Sequence, residues 1–133
     1  MKNYFFNKNI QEYTTPPHII KDLEKEFGKM FDPCPINPQF DGLKIDWKNP
    51  SFCNPPYKYP VIIDWIKKCV SESNKGNKII LLIFVKTDTK YFHELILPHI
   101  KSEKAELRFI KGRLKFGNSI NTAPFPSMLV IFK

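Results

Sequence analysis

The sequence predicts an α/β fold that closes with an antiparallel hairpin strand, and three observations carry the expectation. Residues 79–85, Ile-Ile-Leu-Leu-Ile-Phe-Val, are apolar without alternation, the pattern of a central strand buried on both faces. Residues 60–74 show helical spacing instead. Ile62, Trp65, Ile66 and Cys69 form one stripe, with Asp64, Lys67, Lys68 and Glu72 outside it. Two further strand-like runs, 105–110 and 127–132, end the chain and suit an antiparallel pair. At 133 residues the chain is expected to be a single domain, 1–133, with a modest core.

Taken in order, residues 1–12 are polar and aromatic without a clear period and read as an N-terminal arm. Thr15-Pro16-Pro17 then reads as a helix start, with Thr15 as the cap and Pro16 in the first helical position. Ile20, Leu23 and Phe27 continue the helix face and Gly28 closes it. A helix start of this kind can hold an anionic group such as a carboxylate. Met30-Phe31-Asp32-Pro33-Cys34-Pro35 reads as a short strand ending in an acid. Open α/β sheets place ligand contacts there, although the same run also suits a solvated aspartate in a turn.

Residues 36–50 are loop-like, with a turn at Asp41-Gly42 and a short alternating stretch from Leu43 to Trp47. Asp46 and Trp47 either line a pocket for a purine ring or form a surface acid beside a half-buried tryptophan. Gly76 is expected to end the 60–74 helix. Beyond the central strand, Lys86-Thr87-Asp88-Thr89 turns into a helix carrying Tyr91, Phe92, Leu95 and Ile96 and ending near Pro98, with His93 and His99 at the surface. Lys111, Arg113 and Lys115 share parity after the 105–110 strand, so they share a face if that segment is extended.

Composition narrows the class. The formal charge of +8 favours a polyanionic partner, although a lysine-rich surface alone is weak evidence. The only arginines are Arg108 and Arg113. Cys34, Cys53 and Cys69 are odd in number and lack a Cys-x-x-Cys pair, so neither a disulfide framework nor a zinc site follows. No apolar run approaches the roughly 18 residues of a spanning helix. The polar N-terminus does not read as a signal peptide, and a cytoplasmic protein is expected.

Phe52-Cys53-Asn54-Pro55-Pro56-Tyr57 is the most informative run. Its prolines fix φ, supply no N–H and push the residues before them toward extended geometry. A strand end thereby stiffens into a loop that presents the Asn54 amide, the Pro55 carbonyl and the Tyr57 ring. Two acceptors beside a stacking platform suit a planar group with an exocyclic amine, such as an adenine pulled from its stack. Taken alone, the same run also suits a proline-rich turn.

The features occur in a fixed order: Thr15-Pro16-Pro17, Phe31-Asp32-Pro33, Asp41-Gly42-Leu43-Lys44-Ile45-Asp46-Trp47, Asn54-Pro55-Pro56-Tyr57, Lys111-Gly112-Arg113-Leu114-Lys115-Phe116, and the closing run from Pro126 to Phe132. This series resembles the phage-type DNA N-6-adenine methyltransferase family over roughly residues 13–132. The resemblance implies a compact Rossmann-like class I methyltransferase sheet, S-adenosylmethionine as cofactor, DNA as partner and a bacterial, phage or viral setting. It implies a catalytic loop of Asn54, Pro55, Pro56 and Tyr57, with Asn54 and the Pro55 carbonyl on the target amine and Tyr57 on the flipped base. Thr15 with Pro16, and Asp32 with Phe31, match positions on the methionine carboxylate and amino group of the cofactor. Asp46 and Trp47 match a segment near the cofactor or target amine. Lys58, Lys111, Arg113, Lys115 and Phe116 are the expected contacts to nucleic acid.

The chain departs from the family pattern in two places. Pro33-Cys34-Pro35-Ile36-Asn37 replaces a glycine-rich turn, and the stretch from Asp32 to Cys53 is too short for two complete β–α units. Loop residues such as Phe40, Asp46 or Trp47 are then expected to hold the ribose and adenine of the cofactor. With no separate recognition domain, target contacts fall to the arm, to 111–126 or to a second subunit in a homodimer. The alternatives are the same chemistry on RNA, cytosine or a protein glutamine, and a nucleic-acid-binding or regulatory protein that has lost catalysis.

Overall fold

The computed structural model describes residues 14–117 and 120–133, so the expected arm over 1–12 lies outside the described residues. One sheet holds β1 (Ser51–Cys53), β2 (Ile79–Phe84), β3 (Ala105–Phe109) and β4 (Ser127–Phe132) in the order β1-β2-β4-β3. β1 and β2 are parallel, and β4 runs antiparallel to both β2 and β3. A parallel pair needs a crossover, and α2 (Val61–Asn74) supplies it. The fold is mixed α/β with the expected antiparallel closure, although the 110–126 connection is longer than a hairpin turn.

Every residue of β2 and β4 is buried. Alternation divides β2 between two cores. Ile79, Leu81 and Ile83 face Ile62, Trp65, Ile66 and Cys69 of α2. Ile80, Leu82 and Phe84 face Ile19 and Leu23 of α1 (Pro17–Phe27), together with Leu114, Phe116 and Ala123. Burying each such side chain contributes about 1.5–3 kcal/mol, against about 1–2 kcal/mol of backbone ordering per residue. Cover on both faces is what makes this strand decisively favourable. Arg108 fastens edge strand β3 to α1, donating from Nη1 and Nη2 to the two Glu26 carboxylate oxygens at 2.6 and 2.7 Å.

Several local expectations are corrected. α1 starts at Pro17 with Pro16 as its cap residue, and no side chain caps it. Thr15 precedes a proline, which favours extended backbone, and its hydroxyl accepts from Asn54 Nδ2 instead of capping the helix. The stretch around Phe31 is reduced to a single parallel bridge with Ser51, because Pro33 and Pro35 have no N–H to continue the ladder. Residues 43–47, whose alternation suits a short strand or a loop edge, form turn and loop. Pro98 does not end a helix. It lies in the first turn of α3 (Leu97–Lys101), which continues a π-helical segment, Phe92–Ile96. Glu72, expected outside, is fully buried.

Candidate active site

Asn54 follows β1 at the carboxyl end of the parallel pair, the end where open α/β sheets collect ligand contacts. It is only 1% exposed, and both ends of its amide are engaged. Nδ2 donates to Thr15 Oγ1 at 2.8 Å, and Oδ1 accepts from the Tyr57 hydroxyl. That hydroxyl also lies 3.1 Å from the Leu82 carbonyl oxygen on β2, so its single proton serves two acceptors. Pro55 and Pro56 are buried beside Asn54 and stiffen the loop, whereas Lys58 is exposed.

The Tyr57 ring is turned inward. Its centroid lies 4.5 Å from Phe84 and 6.1 Å from Phe116. Phe116 is 2% exposed, which corrects its reading as a nucleic-acid contact: it is a wall behind Tyr57. Alternation explains the outcome. Lys111, Arg113 and Lys115 are exposed, while Leu114 and Phe116 point into the core. The segment is pinned beside the site, since the Gly117 N–H donates to the Thr14 carbonyl at 2.9 Å and the Ala123 N–H to that of Leu114 at 2.7 Å. Arg113 Nη1 donates to the Pro124 carbonyl at 2.8 Å.

Phe31 and Asp32 stand on the extended segment beside β1, with Phe31 bridged to Ser51, the first residue of β1. The Phe31 N–H donates to the Pro50 carbonyl and its own carbonyl accepts from the Phe52 N–H. Asp32 follows, exposed, with Oδ1 accepting from the Cys34 N–H at 2.9 Å. The Phe31 ring is stacked with Phe40 at 6.0 Å and 23°. Gly42 packs so closely here that a Cβ would lie 2.0 Å from the Pro33 carbonyl oxygen. Pro16 is buried at the entry to α1, and its carbonyl accepts from the Ile19 N–H.

Asp46 and Trp47, expected near the cofactor or target amine, lie on a segment away from Asn54. Lys78 N–H donates to Asn49 Oδ1 and Ser51 N–H to the Lys78 carbonyl, so the 46–49 segment runs along the amino ends of β1 and β2. Asp46 is exposed and paired with Lys75 at 2.9 Å. Trp47 is 5% exposed, stacked obliquely on Trp65, with Nε1 donating to the Gly42 carbonyl at 2.7 Å.

Glu72 holds that segment in place. Its Oε1 accepts from the Trp47 N–H and Asn77 Nδ2, both at 3.1 Å, and its Oε2 from Lys68 and Lys75 at 3.0 and 2.8 Å. Burial alone would raise its pKa, but the bonds from Lys75, Lys68 and the Trp47 N–H outweigh it and hold the carboxyl below its ordinary value. The signal was available in the sequence, because Glu72 continues the stripe of Trp65 and Cys69 at helical spacing, with lysines one turn to either side. Cys53, next to Asn54, is no competing nucleophile: burial and the neighbouring Cys69 push its thiol well above the ordinary range.

The arrangement offers a desolvated amide, an aromatic side chain beside it, an exposed carboxylate on the adjoining extended segment and exposed cations on the flanking segment. The family model described as DNA N-6-adenine-methyltransferase (Dam) matches residues 6–133. No curated protein matches the chain.

Proposed function

The chain belongs to the DNA N-6-adenine-methyltransferase family, and on that premise we propose that Asn54-Pro55-Pro56-Tyr57 is the catalytic loop and S-adenosylmethionine the methyl donor. The enzyme is an adenine-specific DNA methyltransferase; its residue roles are the proposal. The observation that carries it is the Asn54 amide, buried at the carboxyl end of the parallel strands and hydrogen-bonded at both ends.

The adenine amine is a poor nucleophile because its lone pair is delocalised into the ring. Asn54 Oδ1 and the Pro55 carbonyl accept its two hydrogens and favour a pyramidal nitrogen, which frees the lone pair. The loop's stiffness holds that nitrogen at a near-attack distance of about 3–3.5 Å. The donor, when bound, supplies a methyl group activated by its sulfonium. No side chain has to act as a base before attack.

Tyr57 changes places during base entry. In the structure its hydroxyl donates to Asn54 Oδ1 and its ring rests on Phe84. Rotation of Tyr57 outward releases Oδ1 to the amine and turns the ring onto the extruded base. Exchanging one donor for another on Oδ1 is close to neutral. Stacking contributes about 1–3 kcal/mol toward an extrusion cost of a few kcal/mol.

The donor's amino-acid portion fits the carboxyl end of the sheet. The exposed Asp32 carboxylate suits an ammonium, Thr15 and the N-terminus of α1 suit a carboxylate, and the Phe31–Phe40 ring pair suits a flat heterocycle. Asp46 and Trp47 have no part in this reading. Lys58, Lys111, Arg113 and Lys115 are the proposed phosphate contacts. A second copy of the chain would extend that surface, and the activity suits a cytoplasmic enzyme of a bacterial, phage or viral system. Among the described residues no helix is long and apolar enough to cross a membrane.

Transfer of labelled methyl from S-adenosylmethionine to DNA tests the assignment. Asn54→Ala is expected to abolish incorporation while the protein stays folded. Robust incorporation by that variant would remove Asn54 from the mechanism.

A further inference from the structure

We infer that Thr15 is a positioning residue that sets the orientation of the Asn54 amide, in addition to any contact it makes with the donor. The inference rests on Asn54 being the amine acceptor. An amide has two ends of nearly equal size and opposite chemistry. Turned by 180°, Asn54 would present an NH2 group to the adenine amine, donor against donor, and the site would be dead. The terminal torsion of asparagine is broad and does not choose between the two orientations. The choice must come from the partners.

Thr15 and Tyr57 are two such partners. Thr15 Oγ1 accepts from Nδ2 at 2.8 Å, and the Tyr57 hydroxyl donates to Oδ1. Tyr57 gives up its bond when it turns toward the base, so from that moment the nitrogen end is held by Thr15. Thr15 is well placed for this. It stands between Thr14, whose carbonyl accepts from the Gly117 N–H, and Pro16, which restricts its backbone. A hydroxyl has one proton and two acceptor sites, so Thr15 can give its proton to an anion and still accept from Nδ2.

The test uses the intact protein and single-turnover methylation with donor and DNA saturating. Thr15→Val keeps the shape and deletes the hydroxyl, removing this acceptor from the buried NH2 and weakening the bias toward the productive orientation. The methylation rate is expected to fall about 5- to 100-fold, with Thr15→Ser restoring most of it. Donor affinity by calorimetry is expected to change much less than the rate. In an Asn54→Asp background both oxygens accept and no orientation is needed, so Thr15→Val is expected to cause no further loss. The Asn54 side-chain NH2 resonances report the same bond without turnover. They are expected to be protected from exchange in the wild type and Thr15→Ser and unprotected in Thr15→Val.

An unchanged rate in Thr15→Val, or an NH2 group equally protected in that variant, overturns the inference. So does a loss fully accounted for by weaker donor binding, which would leave Thr15 a donor contact alone. The catalytic reading fails separately, through an active Asn54→Ala.

Discussion

Glu72→Gln removes one charge and no volume from the buried carboxylate that ties Trp47 to α2. Glutamine keeps an oxygen for the Trp47 N–H and Asn77 Nδ2, but it turns an NH2 group toward Lys68 and Lys75. Two charge-assisted bonds are lost, each worth about 1.5–3 kcal/mol when fully desolvated. Lys75 is about half exposed whereas Lys68 is largely shielded, so water recovers mainly the loss at Lys75. The expected net cost is about 1–3 kcal/mol, or roughly 3–10 °C in melting temperature for a domain of this size. Glu72→Ala also orphans the Trp47 N–H and is expected to cost about 3–5 kcal/mol. Urea unfolding followed by tryptophan fluorescence measures both, since Trp47 and Trp65 pack on each other in this region.

The pH dependence fixes the sign. The carboxyl is held below its ordinary value in the folded state, so the folded protein binds this proton less readily than the unfolded chain. Its contribution is complete above the unfolded carboxylate pKa, about 4.3, and is lost as pH falls through the folded value. The stability gap between wild type and Glu72→Gln is therefore expected to be constant near neutrality and to shrink in acid. Equal stabilities at pH 7, or a gap that persists undiminished at pH 3, would refute the account.

Asp46→Ala should lose at most about 1 kcal/mol of stability and leave methyl transfer at the wild-type level, because this side chain lies at the far end of the sheet; a collapse in donor affinity would restore Asp46 to the cofactor site. Replacing Lys111, Arg113 and Lys115 together by alanine should weaken DNA binding across all sequences and flatten the log–log salt dependence by about 2–3, as measured by fluorescence anisotropy at several salt concentrations. Phe116→Ala, by contrast, should cost about 3–5 kcal/mol of stability through a cavity behind Tyr57 without changing that salt slope.

The gross fold was legible because its signals are local. The unbroken apolar run of β2 and the stripe of α2 each report their own burial. The stiff Asn54-Pro55-Pro56-Tyr57 loop was legible for the same reason: two prolines after an asparagine restrict the backbone wherever they occur. Phe116 was misread because it was grouped with the cations around it, whereas its own parity with Leu114 sent it inward. Glu72 was misread because a charged residue was placed outside by type, although its helical spacing put it on the buried stripe.

By itself, the chain determined the four strands of the sheet and its two long helices, that β2 is central, and that a stiff Asn-Pro-Pro-Tyr loop ends β1. Local backbone restriction and hydrophobic period are properties of neighbouring residues and need no partner. Tertiary structure alone decided which end of the sheet each loop occupies. It sent Asp46 and Trp47 to the amino ends and brought Thr15 to Asn54 across a chain separation of 39 residues. Those outcomes depend on where non-local backbone pairs, and no residue type or spacing along the chain encodes that distance.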